Sequence, residues 1–186
     1  IQVRYDISVT TKNVGIDRLP EWGKVSAVQL TWPHEDTDWS YMLDEVTDCY
    51  LQLAYAIASR TKLLIVTPHP EELQALLTTK FPQHIVANIT LFECPTNDTW
   101  ARDHGPITCL SSEGNLQLLD FRFNGWGGKF EAQLDNKITR QLCRQHLRDR
   151  VRDLQSGHIR KEHKGDQAEC GMSVRDLESV EERRAH

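Results

Sequence analysis

In the segment TNDTWARDHGPI, residues 96–107, the carboxylate of Asp103 lies three residues after the ring of Trp100, and Gly105-Pro106 bends the chain directly afterwards. A carboxylate beside an aromatic face suits a planar cation. A guanidinium donates two parallel hydrogen bonds to one carboxylate while its flat side stacks on the ring. That cation is either a ligand's or the protein's own Arg102. The plainer alternative is structural: Asp103 caps the next element, Trp100 is buried, and Arg102 pairs with Asp103 or Asp98. Two more loops carry tryptophan, TWPHEDTDW with Trp32 and Trp39, and FNGWGG with Trp126. If the loops converge, these rings line one mouth around a hollow that Asp103 faces; if they do not, each ring packs in the core or anchors its own loop. Gly125, Gly127 and Gly128 read as a backbone requirement rather than a phosphate cradle.

The elements that would position these loops alternate. VSAVQLTW, residues 25–32, has the composition of a strand. A helix follows, with Thr37 or Asp38 as N-cap and a core-facing stripe at Leu43, Val46, Tyr50, Leu53 and Ile57. KLLIVT, residues 62–67, is continuously apolar and reads as a central strand. PHPEELQALLTTKF gives a second helix, with Pro70 in its first turn and Leu73, Leu76 and Leu77 on its buried face. ANITLFEC, residues 87–94, is the next strand, and PTNDTWARDHGP is an irregular loop. ITCLSS and NLQLLDFRF flank Glu113-Gly114 as a hairpin, NGWGGKF is a turn, and helix resumes at about residue 133. The pattern is α/β. No P-loop or G-x-G-x-x-G follows a strand.

The 186 residues carry a net charge of −5, which argues against a nucleic-acid or membrane-surface partner. The runs LAYAIA and LLIV are too short to span a bilayer, and no signal peptide is visible, so the expected location is cytoplasmic. Ile1 rather than Met opens the chain, which leaves the true N-terminus open. The five cysteines, Cys49, Cys94, Cys109, Cys143 and Cys170, form no C-x-x-C and read as reduced thiols, with Cys49, Cys94 and Cys109 as core residues. His158, His163 and Cys170 fit no common zinc spacing. Patterning fades after residue 143: the remainder holds ten Lys/Arg and nine Asp/Glu, which suits a solvated, poorly ordered tail.

LPEW at residues 19–22, LTWPHEDTDW at 30–39, TWARDHGP at 99–106 and DFRFNGWGGKF at 120–130 occur in this order. Together they resemble the agmatine deiminase family, which includes bacterial-type peptidylarginine deiminases. The resemblance divides the chain into an N-terminal extension of unclear status (1–16), a deiminase-like α/β region (17–143) and a charged tail without a match (144–186). It implies a pentein, an α/β propeller of ββαβ modules, of which this chain would supply roughly the first two of five. The activity implied is hydrolytic deimination of a small guanidinium substrate, agmatine or arginine. Carboxylates orient the guanidinium, a cysteine thiolate attacks its carbon, and a histidine protonates the departing ammonia and then activates water. No cofactor or metal is implied. Asp103 would be a catalytic, guanidinium-binding carboxylate, Trp100 a pocket residue, Trp32 and Trp126 further wall candidates, and Arg102, Gly105 and Pro106 would shape the loop.

The family's second acidic residue, its H-x-D histidine and its C-terminal nucleophile have no counterpart in this sequence. His146, His158, His163 and His186 stand in no H-x-D, and Cys170 lies beside Glu169 and near Asp166, which raise rather than lower a thiol pKa. The loss of pattern near residue 143 reads as truncation, a shifted frame or a partial gene model, and the expected result is a chain without turnover. The runner-up is a non-catalytic fragment that binds a guanidinium compound or a partner protein. Oligomeric state has no signal in the sequence.

Overall fold

A computed structural model describes residues 17–18, 25–110 and 116–145. The strands are β1 (Asp17–Arg18), β2 (Ala27–Thr31), β3 (Lys62–Thr67), β4 (Ile89–Glu93), β5 (Ile107–Leu110) and β6 (Leu116–Leu119). The helices are α1 (Leu43–Ala58), α2 (Pro70–Lys80), α3 (Gln83–Val86) and a single turn, α4 (Ala101–His104). Residues 138–145 are also helical. The described residues divide into two compact units, one of 25–106 and 120–145, the other of 17–18, 107–110 and 116–119.

The larger unit is built on a parallel sheet in the order β2-β3-β4. Register runs from Ala27 opposite Lys62 to Thr31 opposite Val66, and from Leu63 opposite Ile89 to Thr67 opposite Glu93. Parallel neighbours need crossovers, and α1 and then α2 with α3 supply them. The continuously apolar β3 is central because both of its faces are covered. Leu63 and Ile65 join Leu51, Ala54, Ala58, Leu73, Leu77 and Ile85 in the main core. Val66, one residue out of that phase, packs with Cys94 and Ile138.

α1 departs from the sequence reading at its start and, on its inner face, at Leu53. Thr37 caps no helix: its hydroxyl and amide both donate to the carbonyl of His34, at 2.7 and 3.1 Å, closing a turn. A short 3-10 segment, Ser40–Met42, precedes the helix, whose first turn carries Asp44 and Glu45. The buried stripe is Leu51, Ala54 and Ala58, while Leu53 is 44% exposed. The two alanines are fully buried, and Tyr50 and Ile57 pack beside them against the core. Cys49 is correspondingly exposed rather than a core residue. α2 has Pro70 in its first turn and buries Leu73 and Leu77, with Leu76 half-buried.

The smaller unit holds an antiparallel sheet in the order β1-β5-β6. Ile107 stands opposite Leu119 and Leu110 opposite Leu116, the expected hairpin, whose turn lies outside the described residues. The pairing of Asp17 with Leu110 was not read from the sequence. The charged tail beyond residue 145 and His158, His163 and Cys170 also lie outside the described residues.

Candidate functional site

In the larger unit the loops after β2, β3 and β4 all leave the C-terminal edge of the parallel sheet, where open α/β sheets place their ligand crevices. The segment read as irregular contains one helical turn, α4. Trp100 precedes it, and the Asp103 amide donates to the Trp100 carbonyl at 2.9 Å. Pro106 holds Gly105 extended, at φ −71° and ψ 156°, which ends the turn. A Cβ on Gly105 would sit 2.4 Å from the Ala101 carbonyl oxygen, so the exit requires glycine.

This turn divides its side chains sharply. His104 is 2% exposed, whereas Arg102 and Asp103 are exposed. The expectation of a hollow around Asp103 is therefore corrected. On a one-turn helix, burying His104 against the sheet rotates its neighbour outward, and the carboxylate faces solvent. His104 was missed as a positioning group because a lone histidine beside a charged pair carries no pattern. Its Nε2 lies 3.2 Å from the Thr31 hydroxyl, Nδ1 has no partner, and burial pulls its pKa down to about 4.

Of the predicted tryptophans, the structure brings Trp100 and Trp126 together. Their centroids are 5.2 Å apart and the rings near perpendicular, and Trp39 lies tilted against Trp100 at 6.0 Å. Phe123 and Phe130 flank Trp126 at 5.2 and 5.4 Å. Trp100 is half-buried and its indole N–H has no partner, while Trp126 is 43% exposed. Trp32 is a correction: it is buried in the main core, edge-on to Tyr50, because it continues the inward-facing phase of β2.

Trp126 is held in an uncommon conformation. It has φ 54° and ψ 50° and lies between Gly125 at φ 61° and Gly127 at φ 85°. A left-handed turn costs a side-chain-bearing residue roughly 1–2 kcal/mol. The Asn124 carboxamide oxygen accepts from the Gly127 amide at 3.0 Å and supports the turn. A Cβ at Gly125 would meet the Phe130 carbonyl oxygen at 2.0 Å, so this glycine is obligatory.

Beneath the loop runs a buried polar layer. The Asp98 carboxylate accepts from the Thr99 amide at 2.7 Å and its hydroxyl at 3.2 Å, and that hydroxyl oxygen accepts from the Trp39 indole at 2.9 Å. Asp135, 1% exposed, accepts from the Asn97 amide at 2.7 Å, and burial raises its pKa to about 6. To one side, His34 Nδ1 accepts from the Asp36 amide at 3.3 Å. The ring proton therefore sits on Nε2, which donates to the Thr96 hydroxyl at 2.9 Å, and burial lowers its pKa. The thiols do not join this site: Cys94 is buried, its pKa raised to about 11 by desolvation, and it donates to the Gln141 side chain at 3.2 Å. Among the described residues no group of three His, Cys, Asp or Glu side chains can hold a metal ion. No helix of the described residues is long and apolar enough to cross a membrane.

The larger unit is thus a parallel α/β unit with its loops gathered at the strand ends, one of them W-x-R-D-x-G-P. The model of the family described as Porphyromonas-type peptidyl-arginine deiminase matches residues 17–163, and the chain belongs to that family. A Shewanella baltica (strain OS185) relative named "Putative agmatine deiminase" is 31% identical over 133 residues, covering 68% of this chain and 34% of the relative. A substrate-bound variant of C. jejuni agmatine deiminase superimposes with a TM-score of 0.66 at 30% identity, over 76% of this chain and 40% of that one. The Porphyromonas gingivalis "Putative Arginine Deiminase" gives 0.60 at 48% identity, over 69% and 36%. The chain thus spans between a third and two-fifths of the length of the relatives it matches.

Proposed function

We propose that this chain carries the guanidinium-recognition part of an agmatine deiminase-like hydrolase. The observation that carries the reading is the pairing on one helical turn of an accessible carboxylate, Asp103, with Trp100, whose ring meets Trp126 at 5.2 Å. Asp103 accepts two N–H groups of the planar cation, and the indole wall lies along its flat face. Fixing the guanidinium this way presents its carbon to a nucleophile and lowers the orientational cost of attack. Arg102, Gly105 and Pro106 hold the turn in the shape that presents Asp103. The two sheets are read as roughly the first two of five ββαβ modules of a pentein. The product from agmatine would be N-carbamoylputrescine, with loss of ammonia.

Turnover is not expected of this chain. Cys94 is a buried, protonated thiol and Cys49 lies on the outer side of α1. Titration calorimetry with agmatine should give a saturable signal. Asp103→Asn should weaken it roughly tenfold to a hundredfold, as loss of charge-assisted hydrogen bonds does. Binding that is indifferent to Asp103, or no binding, defeats the recognition reading, and ureido product above background overturns the claim of inactivity. A second reading, arginine within a protein rather than agmatine, is favoured by the match to the family described as Porphyromonas-type peptidyl-arginine deiminase. Titrating an arginine-containing peptide beside agmatine chooses between them.

A further inference from the structure

The loop that carries Trp100 and Asp103 is tied to a distant part of the chain by a reciprocal pair of side chains. The Asp135 Oδ1 accepts from the Asn97 amide at 2.7 Å and from the Asp98 amide at 3.4 Å. In return, the Asn97 Oδ1 accepts from the Leu134 amide at 2.7 Å and from the Asp135 amide at 3.4 Å. Each side chain satisfies the other's backbone, and both act only as acceptors through one oxygen. The other Asp135 oxygen is buried without a partner.

This arrangement has a cost that packing alone does not explain. A carboxylate 1% exposed, next to a second buried carboxylate at Asp98, is unfavourable unless it holds something in place. What it holds is a short relay. From Asp135 the ties run to Asn97 and Asp98, from Asp98 to Thr99, and from the Thr99 hydroxyl to the Trp39 indole, whose ring lies tilted against Trp100. α4 begins at the next residue.

We propose that Asp135, with Asn97, is a positioning residue for guanidinium recognition: the reciprocal tie fixes residues 97–100 so that Trp100 and Asp103 present one face to the ligand. The proposal rests on the reading of Asp103 given above. Neither residue touches the ligand. Asp135→Asn keeps the accepting Oδ1 and changes only the atom that makes no hydrogen bond, so it should leave the tie intact. Asp135→Ala removes the tie, and Asn97→Ala, at a half-buried position, breaks it from the other side.

The experiment uses the full chain at pH 7.5, with agmatine calorimetry and amide hydrogen exchange on the three variants. Asp135→Ala and Asn97→Ala should bind agmatine about tenfold or more weakly, with exchange accelerated in residues 97–104 and unchanged in β3. Asp135→Asn should bind and exchange like the parent. If Asp135→Ala does not fold, Asn97→Ala decides alone. The proposal is overturned if affinity falls without faster loop exchange, if loop exchange rises without loss of affinity, or if Asp135→Asn behaves like Asp135→Ala. If the parent chain itself binds no agmatine, the recognition reading fails, and so does positioning for recognition; accelerated exchange would then leave Asp135 a structural tie only.

Discussion

Leu63, Ile65, Leu73 and Leu77 around β3, and Asp98, Thr99, His104 and Asp135 beyond the strand ends, are all nearly sealed from water. The first set is held by apolar contact, which is non-directional and tolerates rearrangement. The second is held by hydrogen bonds with fixed partners, in which one missing acceptor strands a donor. The scaffold therefore gets its stability from one region and the geometry of its loops from the other. Changes in the two should separate: core substitutions lower stability and leave the loop's shape intact, while polar-layer substitutions alter the loop at smaller cost.

The widest separation comes from Leu77→Ala. Leu77 is fully buried on α2, and its truncation leaves a cavity in the main core. The expected loss is about 2–5 kcal/mol, seen as a lower urea midpoint. Agmatine affinity per folded molecule should not change. A fall in affinity under conditions where the variant is folded would erase the distinction between the two regions.

The same contrast decides what could be read in advance. β3 and α2 were legible because four continuous apolar residues, Leu63–Val66, and a Pro-started amphipathic run leave little choice of partner. Trp100, Asp103 and Trp126 could be picked out by residue type and spacing, and the structure sets Trp126 against Trp100 while leaving Asp103 in solvent. The misplacements arose where tertiary contact overrode local pattern. On α1 the stripe keeps Tyr50 and Ile57 against the core, but Leu53 is exposed and Ala54 and Ala58 are buried in its place. Trp32 went to the core because strand phase, not loop proximity, aims it. Asp135 and His104 left no trace in sequence, since their roles depend on partners such as Asn97 and Thr31, dozens of residues away.

Within the polar layer, two groups titrate in opposite senses. Burial raises Asp135 from 3.8 to about 6, so its neutral form favours the fold. That contribution is fully present below pH 3.8 and is lost as pH rises through 6. Burial lowers His104 from 6.5 to about 4. Its contribution is present above pH 6.5 and is lost as pH falls through 4. Each spans about two units, on the order of 3 kcal/mol, so the two largely cancel between pH 6 and pH 4. Urea titrations across that window should show the parent chain gaining on Asp135→Asn as pH falls. The parent should lose relative to His104→Gln, which keeps a polar atom near Thr31. Parallel pH profiles for all three would mean that neither group is desolvated as the structure has it.

The smallest effect is expected at Thr99, within the polar layer. Its hydroxyl accepts from the Trp39 indole and donates to the Asp98 carboxylate. Thr99→Val keeps the shape, strands the Trp39 indole N–H and takes one donor from Asp98, which keeps the Thr99 amide. Loss of the two bonds should cost about 1–2 kcal/mol, less than Leu77→Ala. It should nevertheless release the Trp39 ring from Trp100, which lies tilted against it with centroids 6.0 Å apart. Tryptophan emission should shift to the red and acrylamide should quench it more readily, while the far-ultraviolet dichroism stays constant. A variant that loses stability with unaltered emission would place Trp39 under the control of apolar packing, and the polar layer would then not set the geometry of the loop.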